Sequence, residues 1–213
     1  MARWEPDARG RLEKAAMELF RERGYARTTV EEIAARAGLT ERTFFRYFSD
    51  KREVLFSGSA DLQGALVAAV AGAPADAAPL AIVATAFEAA GAALEAHREM
   101  AYVRARHALV SEHAELRERE LIKLASLATA VATALRARKV GEPAASLAAE
   151  AGVAVFKVGF ERWVGEKKAR GLPVHIREAT EALRAVAGDA GGEADRVGAR
   201  AAPRSEAKRA RAR

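Results

Sequence analysis

Apolar positions recur along this 213-residue chain at three- and four-residue spacing, and nowhere do they alternate in the runs that a half-buried strand requires. Ala, Leu, Glu and Arg fill most of the chain and favour helix, so the predicted fold class is all-α. The first helix shows Leu12, Ala16, Leu19 and Phe20 on one face; Gly24 ends it, and Tyr25 follows as the apolar contact of a glycine C-cap. Thr29 with Glu32 makes a capping-box start for a short second helix that turns Val30, Ile33 and Ala34 inward. Ala37-Gly38-Leu39 forms a tight turn. Thr40 then caps a third helix, ERTFFRYF, in which Phe44 and Phe48 lie one turn apart and face the core. Asp50 and Glu53 offer another capping box, for a longer fourth helix running through Leu55, Phe56, Leu62 and Leu66.

The stretch Ala71 to Pro79, AGAPADAAP, is the first clear interruption, because two prolines and a glycine this close do not sit inside a helix. It marks the head off from the body. Further helices are predicted near 79–96, 98–112, 114–139, 144–169 and 175–187, broken at His97, near His113, at Gly141-Glu142-Pro143 and at Gly171-Leu172-Pro173. From Gly188 onward apolar periodicity is lost and disorder is expected. The resulting organisation is a head over 1–57, a body over 58–187 and a tail over 188–213.

Charge sharpens this division. The net charge is +6, with twelve Lys/Arg against ten Asp/Glu in residues 1–57 and seven against four in residues 188–213. Both ends are basic and the middle is near neutral, as suits a head that meets a polyanion and a body with another task. The basic tail, with Arg204, Lys208, Arg209, Arg211 and Arg213, reads as a solvated segment that can add non-specific phosphate attraction. Cysteine is absent, which excludes disulfide frameworks and thiolate chemistry and fits a reducing cytoplasm. The charged first residues lack a signal-peptide core, and the apolar stretches read as too short to span a bilayer. A cytoplasmic, nucleoid-associated protein without a membrane partner is expected. Phosphate loops, H-E-x-x-H and G-x-S-x-G motifs are missing, so neither catalysis nor a cofactor is expected. His97, His107 and His113 share no helical face, which argues against a metal site.

Two short helices joined by a glycine turn, spanning Thr29 to Phe48, have the patterning of a helix-turn-helix whose second helix enters the major groove. With Phe44 and Phe48 inward, Arg42, Thr43, Arg46 and Tyr47 remain outward. Arginine forks onto guanine or phosphate, threonine reaches a base edge or methyl, and a tyrosine hydroxyl donates to phosphate oxygen. Lys51 falls at the first turn of the predicted fourth helix, where exposed N–H groups favour an anion. Each of these residues alone is an ordinary solvated side chain; their concurrence on one short helix is the signal.

Gly24-Tyr25, Thr28-Thr29-Val30-Glu31-Glu32-Ile33-Ala34, Ala37-Gly38-Leu39-Thr40 and Thr43-Phe44-Phe45-Arg46-Tyr47-Phe48-Ser49-Asp50-Lys51 resemble the TetR/AcrR family of bacterial repressors over about residues 8–56. The resemblance implies an all-α homodimer. Each subunit would have a three-helix DNA-binding head and a larger ligand-binding and dimerisation body, released from a near-palindromic operator by a small molecule. It places Thr40, Arg42, Thr43 and Arg46 at bases, and Thr29, Tyr47 and Lys51 at phosphates. Phe45 stands where the family often carries a tyrosine, so that contact becomes apolar, toward a thymine methyl.

The body, through Arg117-Glu118-Arg119-Glu120-Leu121 and Ala154-Val155-Phe156-Lys157-Val158-Gly159-Phe160-Glu161-Arg162-Trp163, resembles a subgroup that senses acyl-CoA-like ligands. Phe87, Met100, Tyr102, Val103, Arg106, Leu121, Leu124, Phe156, Phe160 and Trp163 are the candidate pocket residues. Apolar residues at helical spacing also suit plain core, and Arg104 and Arg106 suit either an acyl-CoA phosphate or a helix surface. The small residues of 147–160 suit a two-helix dimer face or core packing. The function expected is a repressor released by a small apolar or acyl-CoA-like ligand. The alternatives are an activator or ligand-independent regulator with the same head, and a helical adaptor that no longer binds DNA.

Overall fold

The computed structural model describes residues 7–166 and 170–198, with side chains as far as Gly188. Among these residues there are nine α-helices, one 3-10 turn and no strand: α1 (Ala8–Arg23), α2 (Val30–Arg36), α3 (Glu41–Tyr47), the 3-10 turn (Glu53–Phe56), α4 (Ser59–Ala71), α5 (Pro79–His97), α6 (Met100–Glu112), α7 (Ala114–Ala137), α8 (Ala144–Gly165) and α9 (Leu172–Gly198).

The head follows its local signals closely. Gly24, at φ 84°, ends α1 and donates its N–H to the Phe20 carbonyl, while Tyr25 beyond it is buried. The Thr29 hydroxyl accepts from the Glu32 N–H at 3.2 Å and the Glu32 carboxylate accepts from the Thr29 N–H at 3.0 Å, so both halves of the capping box are made. Gly38, at φ 67°, turns the chain between α2 and α3, and a Cβ there would stand 2.8 Å from the Arg11 guanidinium, which is bonded to the Ala37 carbonyl. Leu12, Leu19, Phe20, Ile33, Phe44 and Phe48 form the core beneath. Val110 and Leu116 of the body complete it.

The fourth helix does not run as the sequence suggests. Asp50 does cap, accepting from the N–H groups of Arg52 at 2.8 Å and Glu53 at 3.3 Å, but Glu53 turns away to Arg119 and Lys123. Val54, Leu55 and Phe56 are buried in succession, which no single α-helical stripe provides. The chain takes a 3-10 turn there and resumes as α4 after Ser57-Gly58, two weak helix formers. Leu66 and Val70 of α4 lie in the same core cluster as α5, α7 and α8.

In the body, α8 packs on α5, α7 and α9, and the small residues of α8 make this possible. A Cβ at Gly152 would stand 2.2 Å from Val83 Cγ1, and one at Gly159 would stand 3.0 Å from the Ile176 backbone nitrogen. These two glycines therefore serve packing within the subunit. The stretch Glu53–Ala71, a 3-10 turn followed by α4, and the helix Pro79–His97 reach the length and hydropathy of a membrane span, longer than the apolar stretches expected from the sequence. Their large apolar residues, among them Leu66, Val70, Ile82 and Phe87, fill the body core.

α9 starts at Leu172, earlier than the expected 175, because Pro173 is tolerated in a first turn where its missing N–H has no partner to lose. It runs on to Gly198, past the expected end at 187 and into the segment expected to be disordered. The tail arginines and lysine from Arg204 onward lie outside the described residues.

Replacing Gly152 with Ala is expected to destabilise the protein by about 1–3 kcal/mol through overpacking against Val83 and Phe87. Urea unfolding checks this, and an unchanged midpoint would mean that α8 and α5 stand further apart.

Candidate nucleic-acid interface and ligand cavity

Among the residues of α3, Phe44 alone is buried, and Phe48 follows at the C-cap. This single anchor leaves Arg42, Phe45, Arg46 and Tyr47 exposed and Thr43 half-buried. The Thr40 hydroxyl accepts from the Thr43 N–H at 3.2 Å and lies 3.1 Å from the Thr43 hydroxyl, so the two threonines present one polar edge at the start of the helix. Arg46 donates to the Tyr47 hydroxyl at 3.1 Å and lies over its ring. Arg42 makes no hydrogen bond or ion pair among the described residues. Phe45, at 54% exposure, is a large apolar side chain in solvent, touching Phe44 edge-on at 5.5 Å. The sequence-predicted residues of α3, with Thr40 before it, thus come together on one outward surface. Thr29 is also exposed, at the N-terminus of α2, with its hydroxyl engaged in the capping box.

Lys51 is placed differently from expectation. It lies in the turn before the 3-10 segment, not in a helical first turn. Its ammonium donates to the carbonyls of Tyr25 at 2.9 Å, Thr28 at 3.0 Å and Ala26 at 3.3 Å, and stands 4.5 Å from the Tyr25 ring centroid. All three N–H bonds are engaged in closing the α1–α2 turn. The Tyr25 hydroxyl is buried without a hydrogen-bond partner among the described residues. Burial, and next the negative charge of Glu115, push its pKa up to about 12. Phe20 at 5.2 Å and His113 of the α6–α7 turn at 5.0 Å flank the same ring.

Polar contacts continue this seam. Arg98 donates to the buried Glu13 at 3.0 Å. Arg106 donates to the Leu55 carbonyl at 2.7 Å and to Glu120 at 3.2 Å while lying over the Phe56 ring. Glu53 accepts from Arg119 at 2.5 Å and from Lys123 at 2.9 Å. Burial raises the Glu53 pKa, but those two bonds outweigh it and hold the carboxyl below its ordinary range. Local spacing carries no sign of this role for Glu53, which stands from Asp50 at a distance that suits a capping box equally well.

Between α4, α5, α6, α7 and α8 lies a cavity of about 910 Å³. Of the candidate pocket residues, Tyr102, Val103, Arg106, Leu121, Leu124, Phe156 and Phe160 line it. Phe87, Met100 and Trp163 do not. Phe87 is fully buried behind Phe156, with ring centroids 5.5 Å apart; Trp163 packs behind Phe160 at 5.9 Å; Met100 lies against the core at the start of α6. Helical spacing alone does not separate a wall residue from the one behind it. Arg104 is also taken, donating to the carbonyls of Val164 and Glu166 at the end of α8.

His97 bonds the Ala93 carbonyl, His107 meets the Phe160 ring, and His113 meets Tyr25; no group of metal-ligating residues occurs among those described. His175, which the sequence did not single out, is the buried histidine. Its Nε2 lies 2.7 Å from a Glu166 oxygen, without hydrogen-bond alignment.

An exposed short helix anchored by one phenylalanine behind a glycine turn, over a cavity-bearing helical body, defines a helix-turn-helix protein with a ligand-sized chamber. The family described as "Bacterial regulatory proteins, tetR family" matches residues 12–57, which lie within the head of this chain. The chain is 41% identical over 81 residues to the HTH-type transcriptional regulator TcmR of Streptomyces glaucescens. That match takes in 38% of this chain and 36% of TcmR, so the chain spans about a third of the length of the curated relative. The whole fold is similar to SmeT, the repressor of the Stenotrophomonas maltophilia multidrug efflux pump SmeDEF, solved as a triclosan complex (TM-score 0.59, 21% identity, 84% of this chain and 90% of that one). It is also similar to the transcriptional regulator FadR of Bacillus subtilis, solved with stearoyl-CoA (TM-score 0.54, 18% identity, 82% and 96%).

Because Tyr25 holds its proton more tightly folded than unfolded, the stability tied to that proton is complete below pH 10 and is lost as pH rises through about 12. Tyr25→Phe is expected to lack this alkaline loss relative to the parent. It should also be no less stable at neutral pH, since it removes an unsatisfied hydroxyl. Denaturant midpoints measured across that pH range check both statements.

Proposed function

We propose that this chain is a DNA-binding transcriptional regulator, not an enzyme, acting in the cytoplasm at the nucleoid as a dimeric repressor. The observation that carries the reading is the outward surface of α3. There Arg42, Thr43, Phe45, Arg46 and Tyr47 stand clear of the core on a helix whose Phe44 anchor and Thr40 cap hold it firmly. Arg42 and Arg46 suit guanine edges or phosphate, Thr40 and Thr43 suit base edges, Phe45 suits a thymine methyl, and Tyr47 and Thr29 suit phosphate oxygens. Lys51 supports the surface chiefly from behind, by closing the turn that positions it.

Dimerisation is supported by α8, whose exposed side carries Leu147, Ala151, Ala154 and Val158 at helical spacing, with Leu147 64% and Val158 49% exposed. A two-fold pair would set its recognition helices about 34 Å apart on successive major grooves of a near-palindromic operator. The 910 Å³ cavity suits a small apolar or acyl-CoA-like effector. Its lining includes Arg106, Arg119 and Lys123, which also hold the 3-10 turn of the head. Occupancy then favours a head spacing that fits DNA less well. The similar structures of SmeT and of Bacillus subtilis FadR hold triclosan and stearoyl-CoA, and this likeness supports an apolar effector here.

Arg42→Ala should weaken binding to the DNA upstream of the protein's own gene by about 1–3 kcal/mol, as for a lost arginine base contact, and leave thermal stability unchanged because Arg42 bonds none of the described residues. Tyr47→Phe should weaken binding evenly across sequences. A gel shift read alongside a melting curve checks both. Unchanged affinity in both variants would leave the adaptor reading in place of this one.

A further inference from the structure

A carboxylate stands on the same short helix as the exposed arginines. Glu41, the first residue of α3, is exposed and makes no hydrogen bond or ion pair among the described residues. The other acids of the head are nearly all engaged. Arg98 holds Glu13, Arg36 holds Glu18 and Glu22, Arg23 holds Glu32, Arg52 holds Asp50, and Arg119 with Lys123 holds Glu53, while Asp7 caps α1. Only Glu31, on α2, is likewise without a partner among the described residues. Within α3 the positions that could answer the Glu41 charge, three and four residues on, are Phe44 and Phe45. Arg42 and Arg46 stand one and five residues on, and side chains at those spacings do not meet.

A charge of this sign opposes a polyanion. An acid in a first turn gains modestly from the helix dipole, whereas repulsion from the phosphates weakens binding to every sequence. The bases decide which sequence compensates. In the major groove guanine presents two acceptors, and thymine presents one beside its methyl; these repel a carboxylate. Adenine sets its N6 amino group beside the N7 acceptor, and cytosine alone offers an amino donor with no acceptor of its own next to it. Resting on the reading of α3 as the recognition helix, we infer that Glu41 is a specificity-determining residue that accepts a hydrogen bond from the N4 amino group of a cytosine in each half-site. It works largely by exclusion: the carboxylate lowers affinity for most duplexes, and a site with cytosine at that position recovers the loss.

The full chain is used to select half-sites from a pool of random duplex DNA, in parallel with Glu41→Gln, Glu41→Ala and Glu31→Gln, each variant being checked by its melting curve. The parent should enrich a cytosine at one position of each half-site, and should bind about tenfold more weakly when that C·G pair is replaced by A·T. Glu41→Gln should exchange this cytosine for adenine, whose N6 and N7 a carboxamide bonds together. Glu41→Ala should leave the position unselected. Glu31→Gln removes the same charge from the head and should enrich the parent's half-site. If both Glu41 variants also enrich the parent's half-site and bind all duplexes more tightly, Glu41 is a solvated first-turn charge and the inference falls, while α3 remains a recognition helix. A parent that enriches no sequence at all overturns both readings.

Discussion

The buried ring of Tyr25 sits where three parts of the molecule meet, and the geometry of the head depends on it. Phe20 of α1 packs on one edge, His113 of the α6–α7 turn on another, and the Lys51 ammonium covers the ring while bonding the carbonyls of Tyr25, Ala26 and Thr28. Burying an aromatic side chain of this size removes on the order of 200 Å² of surface from water, enough to hold a tight turn closed. Lys51 comes from beyond α3, so its return to the α1–α2 turn ties the ends of the three-helix unit together. His113 comes from the body, so the same ring fixes where that unit sits against α6 and α7.

Around this apolar pin the seam is otherwise polar. Exposed ion pairs contribute little individually, but Glu13, Glu53 and Glu120 are partly or largely withdrawn from solvent, and each is held by an arginine, Glu53 by Lys123 as well. A seam of this kind has two properties. It specifies one arrangement of head on body, because misalignment strands a charge, and it is easily rearranged when another charge competes. A wholly hydrophobic joint would hold more firmly and respond less.

The parts of this structure legible in the sequence are those governed by neighbours a few residues apart. The Thr29–Glu32 box, the Gly24 and Gly38 turns, the Thr40 cap and the inward Phe44 and Phe48 are short-range matters, and the pattern states them directly. The outward set on α3 follows by subtraction. What the pattern could not state depends on distant partners. Glu53 stands at capping-box spacing, but Arg119 and Lys123, some seventy positions on, attract it more strongly. Lys51 has the local setting of an anion site, but three backbone carbonyls claim it. Phe87 and Trp163 share the spacing of the cavity-lining residues and differ only in lying one layer deeper, which depends on how α5 and α8 cross.

The dependence of α3 on Phe44 alone for its burial has an evolutionary corollary. Because the remaining positions of this helix carry almost no packing duty, a lineage can exchange them with little penalty to the fold. Descendants of one such scaffold can thus vary the surface that α3 presents one side chain at a time, while the body and its cavity are inherited unchanged.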